Sequence, residues 1–205
     1  MFFRDFPKLK AIENDINAAL NAIIEAYENN GKLLCCGNGG SCADCEHIVG
    51  ELMKGFMLQR KTDASFSEKL KNAGCEDAEY ICDNLQGALP ALSLTGQSAV
   101  LSAFANDVNS DFVYAQMVYG YGNENDILLC LSTSGNSKNV VYAAKVAKAK
   151  GMTTIAMTGA NESKLSEICD VTIKVPETET YKVQELHLPV YHYLCQEIEK
   201  HFYTD

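Results

Sequence analysis

The strongest constraint on the fold is an alternation. Apolar runs at 32–36, 90–95, 126–132, 153–158 and 171–175 are each too short for a helix and read as strands. Leu33-Leu34-Cys35-Cys36 and Ile127-Leu128-Leu129-Cys130-Leu131 are apolar without interruption, as in strands covered on both faces. Helical periodicity fills the spaces between. Leu9, Ile12, Ile16, Leu20, Ile23 and Ile24 predict a helix over about 7–30, stopped by Asn29-Asn30-Gly31. Further helices are predicted to about Met57, within 96–106, over 111–120, 138–150 and 163–168, and finally over about 180–202 with Pro189 inside it. Strands alternating with helices predict an α/β fold. We expect a single-domain three-layer sandwich with a five-stranded parallel sheet, flavodoxin-like, with the N- and C-terminal helices packed on it. Crossovers should be right-handed and ligands should sit at the carboxyl ends of strands. No repeat or linker divides residues 1–205. The stretch of about 58–87 breaks the rhythm. Phe66, Leu70, Ala73, Tyr80, Ile81 and Leu85 predict one or two helices broken near Gly74, read either as a surface excursion or as a lid or interface element.

Two strand ends carry polar loops. After the first comes Gly37-Asn38-Gly39-Gly40-Ser41, then a helix whose start fits a Ser41/Asp44 capping box. Glycines allow close backbone approach, and a helix N-terminus presents free N–H groups, which together suit an anion such as phosphate. No Lys follows the glycines as in a P-loop, and the dinucleotide-binding glycine spacing is not met. His47 and Glu51, four apart, share one face of that helix, as proton-transfer groups, metal ligands or an ordinary surface pair. After the third strand comes Ser132-Thr133-Ser134-Gly135-Asn136-Ser137, hydroxyls before another helix N-terminus. Such a loop binds phosphate oxygens, unless it is a plain turn with Ser137 as N-cap. No chelating carboxylate accompanies it, so a sugar phosphate fits better than a magnesium nucleotide. On the last helix Gln184 and His192 lie about 80° apart around the axis and can address one site. His187 and His192 do not share a face. Either one alone reads as a core or surface histidine, and His201 as solvated.

Composition narrows the classes. The net charge is −10 and there is no basic stripe, which argues against nucleic acid. No long apolar span or signal-peptide pattern is present, which predicts no membrane partner. Nine scattered cysteines suit free thiols in a reducing cytoplasm better than a disulfide frame. Cys42 and Cys45 form a C-x-x-C that is open to a redox or zinc reading, although no second pair completes a zinc site.

The glycine loop with Ser41, Asp44, His47 and Glu51, then Asn106-Asp107, the hydroxyl loop, and Gln184-Glu185 through His187 and His192 together resemble the sugar isomerase (SIS) domain. Within it they resemble the phosphoheptose isomerase family, over about residues 8–200. The resemblance implies isomerisation of sedoheptulose 7-phosphate to D-glycero-D-manno-heptose 7-phosphate. It implies phosphate binding by Ser41, Ser132, Thr133, Ser134 and Ser137, alongside Gly39 and Gly40, and sugar contacts from Asn38, Asn106, Asp107 and Gln184. Glu51 and His192 would carry protons through an enediol. His47, Glu51, Gln184 and His192 would hold zinc, as in members that carry it, and the assembly would be a homotetramer with sites between subunits. The long 58–87 segment departs from the compact family pattern and leaves room for another phosphosugar. A non-catalytic SIS protein, a phosphosugar sensor or a replication-initiator-binding factor, would need the loops but not Glu51 and His192.

Overall fold

The computed structural model describes residues 2–204. The α-helices are α1 (Phe2–Asp5), α2 (Glu13–Glu28), α3 (Gly40–Met53), α4 (Ala64–Asn72), α5 (Ala78–Asn84), α6 (Ser98–Phe104), α7 (Val113–Tyr121), α8 (Lys138–Ala149), α9 (Lys164–Ile168) and α10 (Thr180–Tyr203). The strands are β1 (Leu33–Gly37), β2 (Ala91–Ser93), β3 (Ile127–Leu131), β4 (Thr153–Thr158) and β5 (Val171–Lys174). They form one parallel sheet in the order β2-β1-β3-β4-β5. The expected flavodoxin-like architecture is the one found. The order reverses between β1 and β3, so the crevice where such sheets bind ligands lies between the two predicted loops.

Side-chain alternation along each strand builds two cores. Leu33, Cys35, Ile127, Leu129, Ile155 and Ile173 face α2, α3 and α10. Leu34, Cys36, Leu128, Cys130 and Ala156 face α7, α8 and α9. Placing α3 and α10 on one face decides the site. They pack together at the carboxyl end of the sheet, which is how histidines distant in sequence come to meet.

Several boundaries differ from the sequence reading. The helix expected over 7–30 is a 3-10 stretch, Pro7–Ile12, and then α2, because Ile12 leaves helical geometry at φ −112° and ψ 18°. The helix expected to reach Met57 ends at Met53, with Lys54 extended. The second strand stops at Ser93, whose hydroxyl accepts from the Thr95 N–H and starts a 3-10 turn. Pro189 does not interrupt α10, since packing of its buried surroundings outweighs one missing N–H. The 58–87 segment is a pair of helices, α4 and α5, packed on one another. Its neck is pinned where the Gly87 N–H donates to the Arg60 carbonyl at 3.2 Å and the Gly55 N–H to Gln86 at 2.8 Å. No described helix is long and apolar enough to cross a membrane.

His187 is a core histidine. It is fully buried, with Nε2 3.4 Å from the Thr158 carbonyl and Nδ1 unpartnered among the described residues. Burial drives its pKa down to about 4, against a weaker upward pull from Thr158. The unfolded chain binds this proton below about pH 6.5. The stability it confers is therefore complete above that pH and is lost as pH falls toward 4. Between pH 7 and 5 this group alone should cost about 2 kcal/mol. Urea unfolding at both pH values should show that loss in the wild type and a smaller one in His187→Gln. Equal slopes would contradict a neutral, buried imidazole.

Candidate active site

The glycine loop is held by side chains from the other core. The Tyr114 hydroxyl donates to the Gly37 carbonyl at 2.6 Å. Asn38 and Asn139 exchange two amide hydrogen bonds of 2.9 Å each, tying the loop to α8. Asn38, expected to meet the sugar, thus has its amide engaged within the protein. The expected capping box does not form. Gly39, at φ 56°, occupies the N-cap, no side chain caps the helix, and Ser41 is buried in its first turn. Asp44 turns instead toward Tyr191. Gln184 reaches this loop from α10, and a Cβ on Gly40 would lie 2.4 Å from its Nε2.

The hydroxyl loop is braced from behind. Ser132 donates to the Ser137 hydroxyl at 3.2 Å, and Ser134 accepts from the Asn136 N–H at 3.2 Å. Gly135 has φ 64°, and a Cβ there would stand 2.1 Å from the Ser163 hydroxyl, so glycine is required twice over. Its carbonyl accepts from the Leu165 N–H at 3.1 Å. Ser137 is the N-cap residue of α8 but makes no side-chain cap, and in the first turn the Val140 N–H donates to Asn139 Oδ1 at 3.0 Å. Ser134 is exposed and Thr133 half-buried.

The titratable cluster sits where α3 meets α10. His47 Nε2 is 3.2 Å from Glu51 Oε1, and His192 Nε2 lies 3.4 Å from His47 Nε2. The other Glu51 oxygen accepts from Lys54 at 3.1 Å. Burial, and secondarily the neighbouring His47, hold His192 below the usual imidazole pKa, against an upward pull from Glu51. His47 is 42% exposed at its side chain, so the cluster opens to solvent on one side. Asn106 and Asp107 do not join it. They lie in a π-helical turn, Ala105–Asn109, exposed and hydrogen-bonded to each other at 2.8 Å. The C-x-x-C is not a solvent-facing redox pair either. Cys45 is fully buried, and burial with the nearby Cys35 thiol pushes its pKa well up.

Among the described residues, no three His, Cys, Asp or Glu side chains close into a metal centre. Glu51, His47 and His192 stand in a row with His47 in the middle. By chemical type, two imidazole nitrogens and a carboxylate are donors that zinc accepts. Zinc ligands at about 2.0–2.1 Å in a tetrahedron stand about 3.3 Å from one another. Both spacings in the row, 3.2 and 3.4 Å, are of that size.

Sequence reasoning missed the support beneath this cluster. Glu199 and Arg60 are both fully buried. Glu199 accepts from the N–H groups of Phe56, Met57 and Leu58 and from Arg60 Nε, at 2.7, 2.7, 3.1 and 2.8 Å. Arg60 also donates to the carbonyls of Leu52 (2.6 Å) and Glu51 (3.0 Å), satisfying the end of α3 directly behind Glu51. Glu199 falls on the apolar face of α10, between Cys195 and Phe202, and a charged residue in that register was the available signal.

The SIS domain family matches residues 8–79 and 84–159. The phosphoheptose isomerase of Helicobacter pylori strain P12 is 35% identical over 194 residues, covering 95% of this chain and 88% of that protein. The chain belongs to the phosphoheptose isomerase family of SIS-domain proteins. Two solved phosphoheptose isomerases share the fold. The one from Francisella tularensis has a TM-score of 0.79 and 30% identity, covering 96% of this chain and 91% of that one. The one from Neisseria gonorrhoeae has a TM-score of 0.76 and 29% identity, covering 97% and 93%. The SIS match covers both loops and α3 and ends before α10.

Proposed function

We propose that this chain is a phosphosugar isomerase that interconverts sedoheptulose 7-phosphate and D-glycero-D-manno-heptose 7-phosphate. The observation that carries this reading is the convergence of Glu51 and His192 on His47, beside the glycine loop at the sheet's switch point. Ketose–aldose exchange moves one proton between adjacent carbons and one between adjacent oxygens. The hydroxyl loop and the N-terminus of α8 hold the phosphate and thereby set the sugar's carbonyl end near α3. Glu51 takes the proton from C1. His192 protonates the C2 carbonyl oxygen, giving an enediol. Glu51 returns its proton to C2 while the proton on the C1 oxygen passes back to His192, which leaves the aldose. Burial and the neighbouring His47 lower the His192 pKa, so the protonated ring gives its proton to the C2 oxygen more readily than an ordinary imidazolium would.

Zinc held by His47, Glu51, Gln184 and His192 would polarise the carbonyl and hold the two oxygens in register, and a Glu51 or His192 lone pair given to the metal would not also take a proton. We include in the proposal a cytoplasmic homotetramer with sites between subunits. It is supported by Asn106 and Asp107, which lie on an exposed turn and whose side chains bond only one another among the described residues. The test is isomerisation of sedoheptulose 7-phosphate by the purified protein, stripped of metal and with zinc restored. Turnover with zinc restored is expected. No turnover in either condition would sink the assignment of this substrate.

A further inference from the structure

The mechanism does not use Tyr191 or Asp44, yet both reach His47. The Tyr191 hydroxyl oxygen lies 3.2 Å from Asp44 Oδ1 and 3.0 Å from His47 Nδ1. A phenol has one proton to give, so only one of these contacts can be its donation. Asp44 Oδ2 is buried and has no partner among the described residues. Tyr191 is therefore the carboxylate's one donor among them, and a buried carboxylate left without one is costly. The phenol gives its proton to Asp44, and its oxygen must then accept from His47.

We infer that the Asp44–Tyr191 pair is a positioning device that fixes His47 with its proton on Nδ1 and its lone pair on Nε2, turned toward Glu51 and His192. The consequence is chemical. Nε2 then faces Glu51 Oε1 at 3.2 Å, and both atoms are acceptors. His192 Nε2, 3.4 Å away, adds another nitrogen to the same space. A cation lying between His47 Nε2 and Glu51 Oε1 would relieve the facing of those two acceptors. With Nδ1 deprotonated instead, Nε2–H would block that space. A hydrogen bond that fixes the tautomer of a ligating histidine is worth roughly 10- to 100-fold in metal affinity. This inference deepens the proposed function at the same site and rests on it only for the role of zinc.

The test is Tyr191→Phe. It deletes the hydroxyl and keeps the ring, which packs edge-on against His47 at 5.4 Å and His192 at 5.0 Å. Nitrogen NMR of 15N-histidine-labelled protein, metal-free and at a pH where His47 is neutral, reads the tautomer without substrate or turnover. The wild type should show His47 protonated at Nδ1, and the variant should shift toward Nε2–H. Zinc affinity, measured by competition with a chromophoric chelator, should fall about 10- to 100-fold in the variant. An Nε2–H tautomer in the wild type, or an unchanged tautomer in the variant, overturns the inference. So does unchanged zinc affinity. A protein that shows the expected tautomers but never isomerises sedoheptulose 7-phosphate would refute the substrate and leave the positioning device standing.

Discussion

Glu199→Ala is expected to lower the unfolding free energy by about 3–5 kcal/mol, the usual cost of breaking a buried ion pair from one side. Arg60 cannot shed its charge, and the variant would leave it buried with only two carbonyls and the face of Tyr203, whose ring centre is 5.0 Å away. The N–H groups of Phe56, Met57 and Leu58 would lose their acceptor in the same stroke. Glu199→Gln should cost less, because its amide oxygen still accepts while one charge is left uncompensated. Denaturant unfolding of both variants at neutral pH tests this. A loss under 1 kcal/mol in the alanine variant would mean that the cluster is hydrated or loosely formed. The effect should also reach catalysis, since Arg60 caps the turn of α3 that carries Glu51.

The fold was legible because each strand is short, apolar and followed by a helix, a pattern with few parallel-sheet solutions. The α3 and α10 clusters were legible as separate stripes, His47 with Glu51 and Gln184 with His192. That they share a sheet face became visible only once Leu33, Cys35 and Ile127 were seen to point one way and Leu34, Cys36 and Leu128 the other. What stayed hidden was support that depends on long-range contact. Asn38 looks free in sequence, and its partner Asn139 lies 101 residues away. Asp44 has capping-box spacing from Ser41, but Tyr191 offered its carboxylate a hydroxyl from 147 residues on, and the loop used Gly39 as its cap. Glu199 reads as one more acidic residue in an acidic chain. Local rules place residues on elements. They cannot say which buried donors a distant element will bring.

Glu51→Gln removes the carboxylate we propose as the general base, while keeping the side chain's size and most of its hydrogen bonding. Loss of a positioned general base typically costs 10²–10⁴ in rate, about 3–5 kcal/mol of transition-state stabilisation. We expect kcat for sedoheptulose 7-phosphate to fall by about that factor. The phosphate contacts we propose are elsewhere, at Ser132, Ser134, Ser137 and the α8 N-terminus, so ground-state binding of the sugar phosphate should change little. Isotope exchange sharpens the result. Wild-type enzyme in deuterated water should wash label into C1 of the ketose through the enediol, and the variant should not. Near-normal turnover in Glu51→Gln would assign the carbon-bound proton to another group, His47 at 3.2 Å from Glu51 or His192 beyond it. A variant that lost turnover and phosphosugar binding together would instead point to Glu51 as a determinant of the pocket's shape, acting through its contacts with His47 at 3.2 Å and Lys54 at 3.1 Å. The separation of kcat from binding is therefore what distinguishes a base on α3 from a brace.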